Sequence, residues 1–581
     1  MPLHNAEMAS VFEQIADLLE IQGANPFRVR AYRNAARSVG EFGKSVPAMI
    51  EQNEDVKRIA GIGDDLAAKL REIAATGTCE LLTRLRAEMP AAITELLQVQ
   101  GLGPKRVRAL YDALHVQTIE QLREAAEQGL IRTVPGFGEK TQAHILERLE
   151  AHAHKSRRFA LAFAERDALP LLAHLRTGKG VEQAVVAGSF RRRCETVGDL
   201  DILATARDGR AVIEHFVRYG EVRQVLARGD TRSSVVLASG MQVDLRVVEP
   251  ESFGAALVYF TGSKAHNIAM RRIAQGLRLK INEYGVFRGE DRIAGRTEES
   301  VYAAIGLDWV PPELRERHGE IEAAHAHTLP CLIERADLVG DLHAHTRASD
   351  GRASLLEMAL AARERGLQYL AVTDHSSGAD GTRGLDAAHL GRQIDEIDAL
   401  NRTLHGVVLL KGIEVDILED GRLGLPDAIL ERLDIVVGAV HTGFDLPRAR
   451  QTERVLRALE HPSMSILAHP TGRLIGEREP CDIDLVRVMR RARALGCHLE
   501  LDAQPNRLDL TDTYCRMAKA EGVLVAIDSD AHDSAGFDDL RYGVDQARRG
   551  WLETKDVLNT RGLDALRPLL RASASRLERT S

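Results

Sequence analysis

Two short stretches hold residues whose types and spacing suit metal-assisted phosphate chemistry. In GSFRRRCETVGDLDIL (188–203), Asp199 and Asp201 stand two positions apart. Residues i and i+2 of a strand share a face, so both carboxylates project together. Paired carboxylates repel unless a cation lies between them, and Mg²⁺ favours such oxygen ligands. Asp244, in QVDLRVV (242–248), supplies a third carboxylate. Such a trio suits two ions, Mg²⁺ or Mn²⁺. At about 3.5–4 Å apart they clamp the attacking and leaving oxygens of a phosphoryl displacement. The Gly188–Ser189 turn with Arg191, Arg192 and Arg193 adds backbone, hydroxyl and guanidinium donors for a triphosphate. A polar hairpin loop is the plain alternative for D-x-D by itself. The turn, the arginines and the third aspartate together favour chemistry.

The second stretch, GDLHAHTRASDG (340–351), sets His343 and His345 on one face at a strand end. With Asp350, His375, Glu414, His441, His469, Asp530 and His532 they make nine imidazole and carboxylate ligands. Zn²⁺, Mn²⁺ and Fe²⁺ accept that mix, and a set without cysteine disfavours a structural zinc finger. A lone histidine is usually structural, but nine ligand-type residues at successive strand ends are not.

These residues need elements to hold them. At 581 residues the chain exceeds one core, and two to four domains are expected. Residues 1 to 150 read as short amphipathic helices, punctuated by three G-h-G turns, IAGIGDDL, VQGLGPKR and VPGFGEKT. From residue 180 the pattern turns to strands, VEQAVVAGS, DLDILATA and a hairpin around Ser239–Gly240. The proline-broken, charged stretch 309–330 reads as a linker. Beyond 336, seven apolar runs alternate with helices, and six of them deliver a ligand just past the strand. Parallel α/β barrels place their active sites at that end, so a barrel with a metal site is expected.

Composition sets further bounds. Apolar residues make up 44% of the chain and aromatic residues 4%, and no apolar run is long enough for a membrane span. MPLHNAEMAS lacks the regions of a signal peptide, and six scattered cysteines suit reduced thiols, so a cytoplasmic location is expected. Net charge is −8, but residues 1–330 hold 44 basic and 44 acidic residues, while 331–581 hold 33 and 41. Local patches, rather than the global sum, are what phosphates feel.

The first stretch resembles the nucleotidyltransferase signature of family X DNA polymerases, the family of DNA polymerase beta. The resemblance continues through VDLRVV, YFTGSKAHNIAMRR (259–272) and LKINEYGVF (279–287). It implies catalytic metal carboxylates at Asp199, Asp201 and Asp244, and triphosphate contacts at Ser189, Arg192 and Gly198. It implies sugar and base contacts at Tyr259, Phe260, Gly262 and Asn267. Attack of a primer 3′-hydroxyl on the α-phosphate of a dNTP, with pyrophosphate leaving, is the implied reaction. Lys264 and His266 depart from the animal enzymes, so base selection is expected to differ.

The G-h-G turns resemble helix-hairpin-helix elements, which hold DNA phosphate on backbone N–H groups at helix starts. Gly61, Gly63, Gly101, Gly103, Lys105, Gly136, Gly138 and Lys140 would be their DNA contacts. NPFRVRAYRNAARSV (25–39) resembles the family's 5′-phosphate pocket, with Arg28, Tyr32 and Arg33 as contacts. Lys69 falls where animal members carry the Schiff-base lysine of a lyase. With Asp64 and Asp65 close by, a salt-bridged helix lysine is the other reading.

The second stretch, with VTDHS, GIEVDI, AVHTG, LAHPTGR and SDAHD, resembles the polymerase and histidinol phosphatase (PHP) domain. That domain is a distorted (β/α)7 barrel holding up to three ions, Mn²⁺, Zn²⁺ or Fe²⁺. A bridging hydroxide would attack phosphorus there, with Arg473 steadying phosphate oxygens. The domain order looks like the bacterial and archaeal PolX arrangement, linked to gap filling in base excision repair and a Mn²⁺-dependent 3′–5′ exonuclease. Some members also act on abasic sites or 3′-blocked ends.

The expected division is an α-helical N-terminal 8-kDa-like domain with a helix-hairpin-helix (1–88) and a helical DNA-binding subdomain with two such turns (89–150). An α/β nucleotidyltransferase palm (151–250), a nucleotide-selecting subdomain (251–315), a linker (316–335) and a PHP phosphoesterase (336–575) follow. The expected partners are gapped or primer-template DNA with a 5′-phosphate end, and dNTPs, with no membrane and a monomeric chain. A nucleotidyltransferase acting on RNA or a small molecule, with a histidinol-phosphatase-like domain, is the alternative. The three G-h-G turns and YFTG…NEY favour DNA.

Overall fold

The computed structural model describes residues 5–40, 42, 46–51, 54–99, 102–156, 158–377 and 384–577. The chain divides into two compact units, Met1–Arg158 with Arg317–Gly319, and Phe159–Glu316 with Glu320–Ser581. None of the described helices is long and apolar enough to cross a membrane.

The first unit is helical. α1 (Asn5–Ile21) and α2 (Pro26–Gly40) pack on each other because Phe12, Ile15 and Leu19 of one, and Val29, Tyr32 and Ala36 of the other, recur at helical spacing. Three more helices open directly after the glycine turns: α3 (Asp64–Thr76), α4 (Pro104–Leu114) and α5 (Glu139–Ser156). Gly63 and Gly103 are the residues that cap α3 and α4.

The second unit begins with α6 (Leu161–Arg176), which covers a five-stranded sheet. Its strands are β1 (Val181–Val186), β2 (Asp199–Ala206), β3 (Val222–Arg228), β4 (Arg232–Leu237) and β5 (Gln242–Val248), in the order β1-β2-β5-β4-β3. β2 and β5 run parallel, and every other pair is antiparallel. In β5, Val243, Leu245 and Val247 are buried and Asp244 alternates to the opposite face.

A smaller subdomain follows. α7 (Phe253–Thr261) and α8 (Lys264–Gly276) precede an antiparallel sheet of β6 (Lys280–Asn282), β7 (Gly285–Arg288) and β8 (Asp291–Ala294), and α9 (Glu298–Ala303) completes it. Its core gathers Val258, Met270, Tyr302, Val310 and Leu314. The stretch expected as a linker adds to that core: Ile321, Ala324 and Leu332 are buried in it, and Glu320–His325 is a helix. The sequence hides this because the apolar pair Ile321–Ala324, one helical turn apart, stands among charged residues.

Seven parallel strands, hydrogen-bonded in chain order, form the last layer. They are β9 (Gly340–Asp341), β10 (Tyr369–Val372), β11 (Val408–Asp416), β12 (Ile435–Ala439), β13 (Ile466–Leu467), β14 (His498–Asp502) and β15 (Val525–Asp528). β10, β12, β14 and β15 are buried along their whole length, as parallel strands under helices must be. The sheet closes on itself. Ala344 pairs with Ala531 beyond the ends of β9 and β15, and buried Asn559 donates to the carbonyls of Gly340 and Ile527 at 2.9 and 2.7 Å.

α10 (Leu540–Arg549) joins this barrel to the five-stranded sheet domain. Tyr542 donates to Glu165 at 2.7 Å, and Arg193 lies 2.6 Å from Asp545 and 2.8 Å from Glu165.

Candidate active sites

The first site lies where β2 and β5 run side by side. Their register sets Asp201 directly against Asp244, with Asp199 one pleat earlier on the same face. Ser234 on β4 and Gln242 donate to the two oxygens of Asp244, Gln242 at 3.1 Å. Burial, and then the charges of Asp199 and Asp244, push the Asp201 carboxyl up to about 7. Gly188 has φ +61, and a Cβ there would lie 2.7 Å from an Asp201 oxygen. Only glycine lets the turn approach that carboxylate so closely. Ser189 follows in the same turn, and Gly198 leads into β2.

The three arginines separate. Arg191 grips Glu298 with both terminal nitrogens, at 2.7 and 2.8 Å, and buried Arg315 grips the same carboxylate. Burial would raise Glu298, yet these two guanidiniums hold it down at about 2. Arg193 is taken by Glu165 and Asp545. The expectation that all three serve a triphosphate is therefore corrected: Arg191 and Arg193 are structural ion-pair residues. Arg192 donates to the Thr261 carbonyl at 2.6 Å and to Glu316 at 2.9 Å. This places it beside Gly262, where a Cβ would lie 3.2 Å from the guanidinium.

Tyr259 is exposed, and its ring meets that of Phe260 edge-on at 5.0 Å. Arg246 stacks over Phe260, and Asn267 donates to the Tyr259 carbonyl at 2.7 Å. His266 is fully buried between Glu320, at 2.6 Å, and the Tyr302 hydroxyl, at 2.8 Å. It packs into the subdomain core, whereas Lys264 is exposed.

The second site sits at the C-terminal rim of the barrel. Glu414 is its hub, with His375 at 2.8 Å, His469 at 3.0 Å, His441 at 3.1 Å, His343 at 3.4 Å and His345 at 3.6 Å. Asp530 lies 2.9 Å from His345, and Asp350 lies 3.1 Å from His532 and 3.5 Å from His375. Three groups of ligand atoms emerge, each within 4.8 Å: His345–Asp350–His375–His532, His343–His345–Asp530 and His375–Glu414–His441. Burial would raise Glu414, but the surrounding imidazoles hold it well below the carboxylate range. Burial would likewise lower His375 and His441, yet Glu414 and its neighbours raise them to about 11 and about 9. His469 and Asp530 adopt positive φ, 22° and 48°, so two candidate ligands sit on strained backbone.

Behind these residues stand carboxylates that the sequence reading did not single out. Glu500 accepts from the His343 ring at 2.6 Å and the His469 amide at 2.6 Å, and Asp416 takes the far nitrogen of His441 at 2.7 Å. Asp374 accepts from Thr346, Ser349 and Gln393. Such partners fix the ring orientation of a metal-binding histidine. The one available signal was an acid inside an apolar strand, as in LELD (499–502). Arg473 is bound to Glu195, at 2.6 Å, and to the Leu508 carbonyl, also at 2.6 Å. Its expected role in steadying phosphate is corrected accordingly.

In the helical unit, Arg28, Asp65 and Lys69 line one small cleft, next to Tyr32. Arg33 is drawn away from them by Asp17, at 2.7 Å, and Glu20, at 2.5 Å. Lys69 pairs with Asp65. Burial would lower its pKa, but Asp65 and Tyr32 outweigh that and raise it. A Schiff-base lysine needs the opposite shift, so the structure favours the ion-paired reading over lyase catalysis. Lys105 and Lys140 stand in the first turns of α4 and α5, beside Gly103 and Gly138, whereas Gly61 and Gly63 lead into the acidic Asp64 and Asp65 of α3. Gly136 precedes Gly138 in the third turn, and Gly101 lies outside the described residues.

Comparison with known proteins matches residues 256–316 to the DNA polymerase beta thumb and residues 341–481 to the PHP domain. Residues 3–79 match a helix-hairpin-helix domain, and residues 93–151 a SAM-like helix-hairpin-helix tandem. The chain is 38% identical over 573 residues to the DNA polymerase/3′–5′ exonuclease PolX of Bacillus subtilis, covering 98% of this chain and 100% of that one. A probable phosphatase of Thermoanaerobacter sp. is 31% identical over 235 residues, which are 38% of this chain and 91% of that one. A probable phosphatase of Caldanaerobacter subterraneus is 32% identical over 216 residues, 35% of this chain and 80% of its own. Asp530 and His532 lie beyond the matched PHP segment, and the fold alone brings them to the rim.

Proposed function

The chain belongs to the PolX family of DNA polymerases/3′–5′ exonucleases, and from that premise we propose that it fills short gaps during base excision repair and trims 3′ ends in its barrel. The observation that carries this reading is the coexistence of two separate acidic centres, one on β2 and β5 and one at the barrel rim.

In the first centre, Asp199, Asp201 and Asp244 would hold Mg²⁺ or Mn²⁺. The raised Asp201 pKa fits a site that wants positive charge. Ions bound there would neutralise charge that develops on the reacting phosphate. Ser234 and Gln242 orient Asp244, the Ser189 turn takes the dNTP triphosphate, with Arg192 joining it by exchanging Glu316 for phosphate, and Tyr259 and Phe260 flank the sugar. The glycine-led starts of α4 and α5, with Lys105 and Lys140, hold the DNA backbone without reading sequence.

In the second centre, His343 Nε2, both ring nitrogens of His345, His469 Nδ1, Glu414 Oε2 and Asp530 Oδ1 are buried without a well-aligned hydrogen bond, although Asp530 Oδ1 lies 2.9 Å from His345 Nε2 and Glu414 Oε2 lies 2.8 Å from His375 Nδ1. Buried groups in that state fit metal ligation, and Mn²⁺, Zn²⁺ and Fe²⁺ all suit the donor set. A bound ion would lower the pKa of a coordinated water and polarise the phosphate. Glu500 and Asp416 hold the outer nitrogens of His343 and His441, so the inward nitrogens would ligate once a bound ion displaces their protons.

The test is a time course on a gapped primer-template under Mg²⁺ and under Mn²⁺. Template-directed extension is expected together with 3′ digestion. Failure to extend with either ion would overturn the polymerase reading.

A further inference from the structure

Arg473, near the nuclease centre, is occupied by Glu195 and the Leu508 carbonyl. Arg507 stands in a different condition. It lies in a tight turn after β14, where the amides of Arg507 and Leu508 both donate to the Gln504 carbonyl, and Leu508 is held at φ +45°. Its Nε faces Asp502 at 3.4 Å and Asp530 at 4.0 Å. Among the described residues its guanidinium makes no hydrogen bond, and its side chain is 20% exposed. Arg507 therefore presents a fork of N–H donors beside a candidate metal ligand, with both terminal nitrogens uncommitted.

The fork opens into a cleft of about 1050 Å³ that also contains Asp530 and His532. This lies at the upper end of ordinary ligand-site volumes, about 300–1,000 Å³. The opposite wall belongs to α6 of the sheet domain, through Arg166, Leu169 and Pro170. Arg166 and Leu169 are exposed. The lining also holds Asp533 and Asp539, and Glu165, which Arg193 and Arg541 neutralise. Against these, Arg166 and an apolar edge facing a guanidinium beside candidate metal ligands match a strand that alternates phosphates with bases.

We propose that this cleft receives the single-stranded 3′ end of DNA, that Arg507 binds the scissile phosphate and that Arg166 holds a neighbouring phosphate from the sheet-domain side. The proposal rests on the nuclease reading above and adds the route and the groups that hold the strand. In the reaction served, a water oxygen bonds to phosphorus as the bond from phosphorus to the preceding 3′-oxygen breaks. The water proton passes to that 3′-oxygen, leaving a shortened strand and a nucleoside 5′-monophosphate. The polymerase domain thereby furnishes half of the nuclease's substrate site.

The full chain with Mn²⁺ tests this using a single-stranded oligodeoxynucleotide, a small aryl phosphate monoester and a gapped primer-template. Arg507→Ala should slow digestion by about 10²-fold, as loss of one donor to a reacting oxyanion does, with metal content per chain unchanged. Arg507→Lys should recover part of that loss. Arg166→Glu should raise KM for the oligonucleotide severalfold to about tenfold, with kcat, monoester hydrolysis and gap filling unchanged. An unchanged oligonucleotide KM in Arg166→Glu overturns the route. Loss of bound metal in Arg507→Ala would make Arg507 a support for Asp530 and overturn its role at phosphate. His343→Ala separates the premise: if it digests like wild type the nuclease reading falls, and if it is inactive while both arginine variants are normal, only this proposal falls.

Discussion

In the sheet domain, three acids on two neighbouring strands face one another with no base between them, whereas the barrel interleaves three acids with six histidines drawn from six strand ends. The trio lies within 46 residues of chain, and the nine are spread from His343 to His532. Yet among the described residues it is the scattered set that yields three groups of ligand atoms within 4.8 Å of one another, while the trio forms no such group. Charge explains the difference. Burial, and then repulsion from Asp199 and Asp244, raises the Asp201 carboxyl to about 7; imidazoles placed between carboxylates attract them, and the buried Glu414 is held well below the carboxylate range. The first centre would thus be completed by the ions proposed to bind it, whereas the second is assembled beforehand by contacts among its own candidate ligands.

The sharpest way to break this comparison is to remove one ligand from each centre. Asp199→Ala should cut gap filling by about 10³-fold or more while 3′ digestion stays near wild type, and His343→Ala should do the reverse. Both activities are followed on one 3′-tailed, gapped substrate. A folded variant that loses both would show that the centres are not independent.

A smaller effect probes how far the barrel centre is preassembled. Glu500→Gln keeps the shape of the group that holds His343 and the His469 amide but removes its charge. Metal titration of digestion should show about 10–100-fold weaker affinity, with extension unchanged. An unaltered metal affinity would mean that the ligands orient themselves.

Acidity should expose the other centre. With Asp201 raised to about 7 in the folded chain, against 3.8 as the ordinary value, the folded form binds a proton that the unfolded form lacks between those limits. This group therefore favours the metal-free fold below about 7, and that contribution is lost as pH rises through about 7. Metal binding has the opposite sense, since it needs the ionised carboxylate. The Mg²⁺ concentration for half-maximal extension should rise as pH falls below about 7, by up to about tenfold per unit. A flat titration midpoint would contradict the proton-holding account. The smallest effect is expected from Ser234→Ala, which removes one donor to Asp244 and should weaken the metal dependence of extension severalfold, about 1–1.5 kcal/mol.

Much of both centres is legible in the chain because backbone geometry alone carries it. Period-two alternation puts Asp199 and Asp201 on one face, and a parallel barrel sends the C-terminal end of every strand to the same rim. The arginines were not legible. Arg191, Arg192 and Arg193 are consecutive, yet one pairs with Glu298, one with Glu316 and one with Glu165 and Asp545. Arg33 was read with Arg28 and Tyr32, but its helical position turns it toward Asp17 and Glu20. The proline-broken stretch after 309 is a similar case. There composition suggested a linker, and burial decided otherwise for Ile321 and Ala324.

The sequence by itself determined the number of domains' worth of chain, the two kinds of metal ligand and the strand ends that carry them, since these follow from periodicity and from what each side chain can coordinate. Only the tertiary structure decided which charged groups remain available. Arg473 finds Glu195 at a separation of 278 positions, and Arg193 finds Asp545 at 352. A guanidinium is neutralised by whichever carboxylate the fold brings within about 3 Å, and no local pattern specifies that partner. Arg507 faces Asp502 and Asp530 through Nε, and among the described residues its terminal nitrogens make no hydrogen bond at the cleft.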